Sequence, residues 1–214
     1  MIDYILFDMD NCLYPASSGL CSRMDGLISN FVAELLSLPV KEAEKMRREN
    51  VLTYGTTLKW LTDCHDFKDI HEYNRHIHPA DVENYLKKET GIKEMLESLP
   101  CGKSVLTNAP PVHADRVLNY LGISGLFDEV LYLGFSGTMG KPHRETYLRA
   151  AEICGCSIAD TLFLDDVPDY LIPFRDEGGE ILLVDETRKH SGRSLPSITN
   201  IMELPGYIKE CFNV

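Results

Sequence analysis

Residues Ile5-Leu6-Phe7-Asp8-Met9-Asp10-Asn11-Cys12-Leu13-Tyr14-Pro15 decide the fold: a short apolar run breaks into two carboxylates on alternate positions and then into a turn-prone segment. With Tyr4 ahead of it, the run is continuously apolar, which suits a strand covered on both faces better than a surface turn. Two acids at the mouth of a buried strand cost desolvation and repel each other, so a divalent cation and a reaction are the natural compensation. A calcium loop also begins with two alternate acids. Its sixth position wants Gly and its twelfth a bidentate Glu, whereas this chain has Leu13 and Gly19 there.

Composition sets the outer bounds. A chain of 214 residues can hold one sizeable core and a smaller appendage, and 44% hydrophobic with 25% charged residues is the balance of a water-soluble globular protein. A net charge of -12 argues against a nucleic-acid polymer as partner, which would need clustered Lys and Arg, and leaves small phosphorylated metabolites open. No apolar run reaches bilayer length and no basic-then-apolar leader opens the chain, so the expectation is a cytoplasmic protein with no membrane partner. No protein partner is evident. Seven cysteines without a Cys-x-x-Cys pair suggest free thiols, not a disulfide framework or a zinc site.

Past residue 15 the rhythm changes. Leu20, Met24, Leu27, Ile28, Phe31, Val32, Leu35 and Leu36 recur at helical spacing, with Pro39 as a stop. A charged helix is expected over about 40–52, an interruption at Tyr54-Gly55-Thr56-Thr57, and polar helices to about 87. From 92 helices and strands alternate: helices over 92–99, 112–121, 144–154 and 168–175, strands over 104–107, 129–133, 161–164 and 181–184. Alternation of this kind implies an α/β fold, a Rossmann-like parallel sheet with helices on both faces. The first strand must join that sheet, since alone it has nothing to pair with. Residues 16–87 are therefore expected as a small all-helical cap inserted into a core of 1–15 and 88–214, positioned as a lid at the carboxyl end of the first strand. The stretch from Lys189 to Pro196 reads as a surface loop.

Three more polar clusters fall at strand ends. Val105-Leu106-Thr107-Asn108, followed by Pro110 and Pro111, offers a hydroxyl and backbone N–H groups for an oxyanion, or an ordinary helix cap. Gly140-Lys141-Pro142 sets a lysine ahead of a helix N-terminus, where it opposes the dipole; a nearby anion or plain solvation explains it. Leu162-Phe163-Leu164-Asp165-Asp166 ends another apolar run in adjacent acids that call for a cation or a donor between them.

This ordered set, Asp8 and Asp10, then Thr107, then Lys141, then Asp165 and Asp166, resembles the four motifs of the haloacid dehalogenase-like (HAD) hydrolase superfamily. Asp10-Asn11-Cys12-Leu13-Tyr14-Pro15, Tyr54-Gly55-Thr56-Thr57-Leu58 and Leu106-Thr107-Asn108-Ala109 are further similar to its pyrimidine 5′-nucleotidase subgroup. The resemblance implies a magnesium-dependent phosphomonoesterase for pyrimidine nucleoside 5′-monophosphates or similar small phosphate esters. Asp8 would be the nucleophile forming an aspartyl-phosphate, and Asp10 the general acid and base. Thr107, Lys141 and the backbone N–H groups of Met9, Asp10 and Asn108 would hold the phosphoryl oxygens. Mg2+ would sit among Asp8, the main-chain carbonyl of Asp10, and Asp166, with Asp165 as a second ligand or the partner of Lys141.

Dehalogenases of the superfamily lack the second acid, so Asp10 favours phosphoryl chemistry. A phosphatase or phosphomutase for sugar phosphates remains an alternative, as does a catalytically idle domain that binds a phosphorylated ligand or a protein. Asn11, Tyr14, Tyr54, Thr56, Thr57 and Asn108 are candidates for contacting the group beyond the phosphate; each has a structural alternative. Two positions depart from the family pattern: Cys12, where Thr or Val is usual, and Asp169, where Asn is common. Cys12 reads as structural, as do Trp60, Cys154 and Cys156, and His76 and His78 read as solvated.

Overall fold

The computed structural model describes residues 2–88 and 91–212; residues 1, 89, 90, 213 and 214 lie outside the described residues. Among the described residues, six strands form one parallel sheet: β1 (Tyr4–Phe7), β2 (Gly102–Leu106), β3 (Val130–Leu131), β4 (Thr161–Asp165), β5 (Glu180–Val184) and β6 (Ser197–Ile198). Their order is β3-β2-β1-β4-β5-β6, which puts the four-residue apolar run of the N-terminus in the middle. Every residue of β1 is buried, as expected for a strand with helices over both faces. The chain leaves β1 towards β2 and β3 and later returns to β4 on the other side. The carboxyl ends of β1 and β4 therefore flank the point where the strand order reverses, the crevice at which open α/β sheets bind ligands.

The helices are α1 (Leu20–Leu36), α2 (Val40–Tyr54), α3 (Thr57–His65), α4 (Ile70–Ile77), α5 (Ile92–Ser98), α6 (Pro111–Leu121), α7 (Arg144–Cys154), α8 (Pro168–Asp176) and α9 (Leu204–Phe212). Their ends follow local chemistry. Thr56 caps α3 by accepting from the Lys59 N–H at 3.1 Å, and Asp69 caps α4 by accepting from the Glu72 N–H at 2.8 Å. Pro111 opens α6 at the position where a missing N–H costs nothing, and Gly122 closes it in the left-handed region.

The expected strand over 129–133 narrows to Val130–Leu131, and the expected loop ahead of Pro196 is present as exposed turns. β6 and α9 follow that loop; at two residues β6 is too short to show a period.

The chain separates into two compact units, Met1–Ser18 with Glu83–Val214, and Gly19–Val82. In the first, Tyr147, Phe163 and Phe174 pack with ring centroids 5.3–5.8 Å apart, in one core cluster with Leu6, Leu106, Leu171 and Leu183. The Tyr147–Phe174 pair is edge-to-face and the other two are tilted, geometries that add to the gain from burial alone. In the second, Phe31 meets Phe67 and Tyr73 edge-on at 5.4 and 5.2 Å, and Trp60 and Leu61 complete the core. Buried Arg47 pairs there with Asp25. No helix among the described residues is long and apolar enough to cross a membrane.

Candidate active site

Parallel pairing brings the strand-end groups together. Phe7 is in register with Val105 on β2 and Leu164 on β4, so Asp8, one residue on, stands level with Asp165. The Asp8 N–H donates to the Leu164 carbonyl at 2.8 Å, continuing the ladder to the point where the carboxylate begins. Lys141 arrives between the two acids. Its Nζ donates to Asp8 Oδ1 at 2.7 Å and Asp165 Oδ2 at 2.6 Å, and all three side chains are more than nine-tenths buried. The Phe163 and Tyr170 rings each lie 5.4 Å from the ammonium.

The Lys141 loop is held by its own clamp. Asn108 Nδ2 donates to the Lys141 carbonyl at 2.9 Å, and the Lys141 N–H donates back to Asn108 Oδ1 at 2.8 Å. Gly140 is needed beneath this pair. Its φ is +83°, and a Cβ there would meet Asn108 Oδ1 at 2.5 Å and the Leu133 side chain at 2.7 Å. Thr146 Oγ1 donates to the Gly140 carbonyl at 2.8 Å and ties the loop to α7. Thr107 is buried at the end of β2, and its Oγ1 accepts from the Ala109 N–H at 3.0 Å.

Three acids surround one ammonium, so the site carries surplus negative charge. Burial pushes Asp8 well above the ordinary carboxylate range; Lys141 opposes the shift, while Asp165, Asp166 and Asp10 add to it. Burial also raises Asp165 against the pull of Lys141. Burial works against the charge on Lys141, but Asp165 and Asp8 outweigh it and hold the lysine pKa up. The lysine therefore stays an ammonium, and the acids carry the raised proton affinity. Asp166 is pushed up to about 6 by burial and by Asp165.

A hard divalent cation fits this surplus. Asp8, Asp165 and Asp166 each offer an oxygen, all within 4.8 Å of one another. Asn11 Nδ2 donates to Asp166 Oδ2 at 3.1 Å and fixes that carboxylate, while Asn11 Oδ1 is buried with no hydrogen-bond partner. Asn11 itself sits at φ +58°, which Asn tolerates better than most residues. An all-oxygen set with an orphaned acceptor beside it suits a hard divalent cation better than one that prefers nitrogen and sulfur.

The structure gathers most of the residues singled out in the sequence at the carboxyl edge of the sheet: Asp8, Met9, Asp10, Asn11, Thr107, Asn108, Lys141, Asp165 and Asp166. Asn108 spends both amide atoms on the lysine loop. Tyr14 is 2% exposed, and its hydroxyl donates to Asp10 Oδ1 at 2.5 Å. Tyr54, Thr56 and Thr57 belong to the Gly19–Val82 unit. There the Tyr54 hydroxyl accepts from the Cys64 thiol at 3.0 Å, Thr56 caps α3, and Thr57 is buried. His76 packs edge-on against Phe31, and the His78 ring bonds the Asn74 carbonyl. Cys12 is buried, and burial with the nearby Asp8 pushes its thiol well up, away from nucleophilic character. Cys154 and Cys156 pack against the sheet core. Asp169 is the second residue of α8, paired on the surface with Arg193 at 2.5 Å.

One residue at the site has no counterpart in the sequence reading. His113, fully buried in the first turn of α6, places Nε2 3.1 Å from Asp10 Oδ1. Its only sequence signal is a histidine in the opening turn of the helix that follows Thr107 and Asn108, a position open to capping and packing roles alike.

A parallel sheet bearing acids at the ends of its two central strands, bridged by a lysine, is the arrangement that the resemblance to the HAD superfamily implies. The model of the haloacid dehalogenase-like hydrolase family matches residues 2–173, and the chain belongs to that family. It is 29% identical over 174 residues to phosphate metabolism protein 8 of Saccharomyces cerevisiae, a match covering 75% of this chain and 54% of that protein. The chain thus spans about half the length of this curated relative. Among solved structures, a predicted phosphatase from Clostridium acetobutylicum is 16% identical with a TM-score of 0.65, each chain covered fully. L-2-haloacid dehalogenase from Xanthobacter autotrophicus is 14% identical with a TM-score of 0.63, covering 98% of this chain and 99% of the other. At these identities the two structures speak for the fold alone.

Proposed function

We propose that this protein is a magnesium-dependent phosphomonoesterase working through an aspartyl-phosphate, with small phosphate esters as substrates. The observation that carries the reading is the pairing of Asp8, bound to Lys141 at 2.7 Å, with a second acid two residues on whose side chain stays 24% exposed. A dehalogenase needs a nucleophile but no acid, since halide leaves without a proton; an alkoxide does need one. The name phosphate metabolism protein 8, carried by the 29% identical relative, points the same way.

In the first step an Asp8 oxygen attacks phosphorus while the bond from phosphorus to the ester oxygen breaks, and Asp10 gives its proton to the departing alkoxide. In the second, the Asp10 carboxylate takes a proton from water as that water attacks phosphorus, releasing phosphate and restoring Asp8. Lys141, Thr107 and the N–H groups of Met9, Asp10 and Asn108 neutralise charge on the nonbridging oxygens. Asp8, Asp166 and the Asp10 carbonyl, with Asp165, would hold Mg2+, which when bound screens the nucleophile from the phosphate's negative charge.

The likeness of Asp10–Pro15, Tyr54–Leu58 and Leu106–Ala109 to the pyrimidine 5′-nucleotidase subgroup narrows the proposed substrates to pyrimidine nucleoside 5′-monophosphates. On the same likeness, the inserted helices are assigned the role of a cap that selects the ester. Turnover of an aryl phosphate with Mg2+, together with a panel of UMP, CMP and sugar phosphates, tests both levels. The expected result is no turnover by Asp8→Asn and the highest kcat/KM on UMP and CMP. Undiminished activity of Asp8→Asn would sink the covalent mechanism, and equal rates on sugar phosphates would sink the nucleotide assignment.

A further inference from the structure

We propose that His113, with Tyr14, is a positioning residue that aims the carboxyl of Asp10 at the leaving oxygen; the inference rests on the reading of Asp10 as general acid. Asp10 lies in the loop after β1, and His113 lies in the first turn of α6, the helix that follows the neighbouring strand β2. The imidazole is fully buried, with Nε2 3.1 Å from Asp10 Oδ1. The phenol of Tyr14, also buried, donates to the same oxygen at 2.5 Å.

Two buried polar side chains could each be satisfied by backbone or by neighbours, yet both converge on one oxygen of one carboxyl. The torsion that turns a carboxyl is broad and intrinsically soft, so without such partners the group would sample many orientations. With Oδ1 taken by the Tyr14 O–H and by His113 in the tautomer that carries its hydrogen on Nε2, Asp10 presents Oδ2 to the ester when it acts as the acid. That oxygen is then the atom that gives the proton to the ester oxygen as the bond to phosphorus breaks, leaving the alcohol and the aspartyl-phosphate. A histidine that only filled space would affect every substrate alike. One that aims the acid matters in proportion to how basic the leaving group is.

The test is kcat/KM, which reports events through formation of the aspartyl-phosphate, measured with Mg2+ on 4-nitrophenyl phosphate and on an alkyl ester such as glycerol phosphate. The variants are His113→Phe, His113→Gln, Tyr14→Phe and Asp10→Asn in the full chain, each checked for a cooperative unfolding transition. His113→Phe should lose roughly 100-fold on the alkyl ester and less than about threefold on the aryl ester, because only the alkoxide needs full proton donation. His113→Gln, which keeps an N–H donor, should recover most of the alkyl rate. If the Phe variant does not fold, Tyr14→Phe, which removes only one O–H, should show the same split. Equal losses on both esters, or no loss on either, overturn the proposal. Asp10→Asn keeps the failures apart: no split there overturns the general-acid reading and the proposal with it, whereas a split there and none in the His113 and Tyr14 variants overturns the positioning role alone.

Discussion

Replacing Lys141 by Met isolates what the buried ammonium does for the folded state. Met keeps most of the stem's length and volume, so the change removes charge and two hydrogen bonds without opening a large cavity. Those bonds, at 2.7 Å to Asp8 and 2.6 Å to Asp165, are charge-assisted, and both partners are buried. Breaking a buried pair by removing one member costs about 3–5 kcal/mol, since the remaining charges are left uncompensated. The cost depends on pH. Asp8, Asp165 and Asp166 all have folded pKa values above their ordinary one, so the folded form holds protons that the unfolded chain releases. Stability from such groups is complete below an ordinary Asp pKa of about 3.9 and declines as pH rises through the folded values. Lys141, with its own pKa held up, stays charged throughout that range and counters the decline by pulling Asp8 and Asp165 down. Without it the decline steepens, so the penalty is largest near neutral pH and shrinks towards pH 4. Urea unfolding of both proteins in EDTA at pH 7.5 and pH 5 measures this. A penalty below about 1 kcal/mol at pH 7.5, or one that does not shrink at pH 5, would refute the reasoning, because breaking a buried pair should cost several times that.

Two further outcomes follow from the same geometry. Asp166→Asn keeps the Asn11 contact but removes one of the three clustered charges, and should raise the Mg2+ concentration for half-maximal activity by about 10-fold or more, read from a metal titration at fixed substrate. Gly140→Ala forces a Cβ onto Asn108 and Leu133 at a positive φ, so it should destabilise by about 1–3 kcal/mol and lower kcat by displacing the lysine loop, measured by thermal unfolding and steady-state rates.

Much of the site was legible because chemistry at a strand end leaves a local mark. The apolar run Tyr4–Phe7 ending in Asp8, and Leu162–Leu164 ending in two acids, announce buried strands whose termini carry charge at a desolvation cost. The helix stop at Pro39 was readable for a related reason: backbone geometry is a property of the residue itself. β6, two residues long, exists only because the edge of β5 was there to pair with, so no local pattern marks it.

The linear chain by itself determined the α/β alternation, the membership of its first strand in the later sheet and the four polar clusters at strand ends, since each depends on periodicity, on a strand's need for a partner or on one residue's intrinsic chemistry. Only the tertiary structure decided what those groups do to each other. Asn108 and Lys141 are 33 residues apart and His113 and Asp10 are 103 apart, and each pair meets through the folded sheet rather than through any spacing in sequence. Their hydrogen bonds fix which lysine conformation and which carboxyl oxygen face the chemistry, because a polar contact of about 3 Å is set by where helices and loops land after the core has packed.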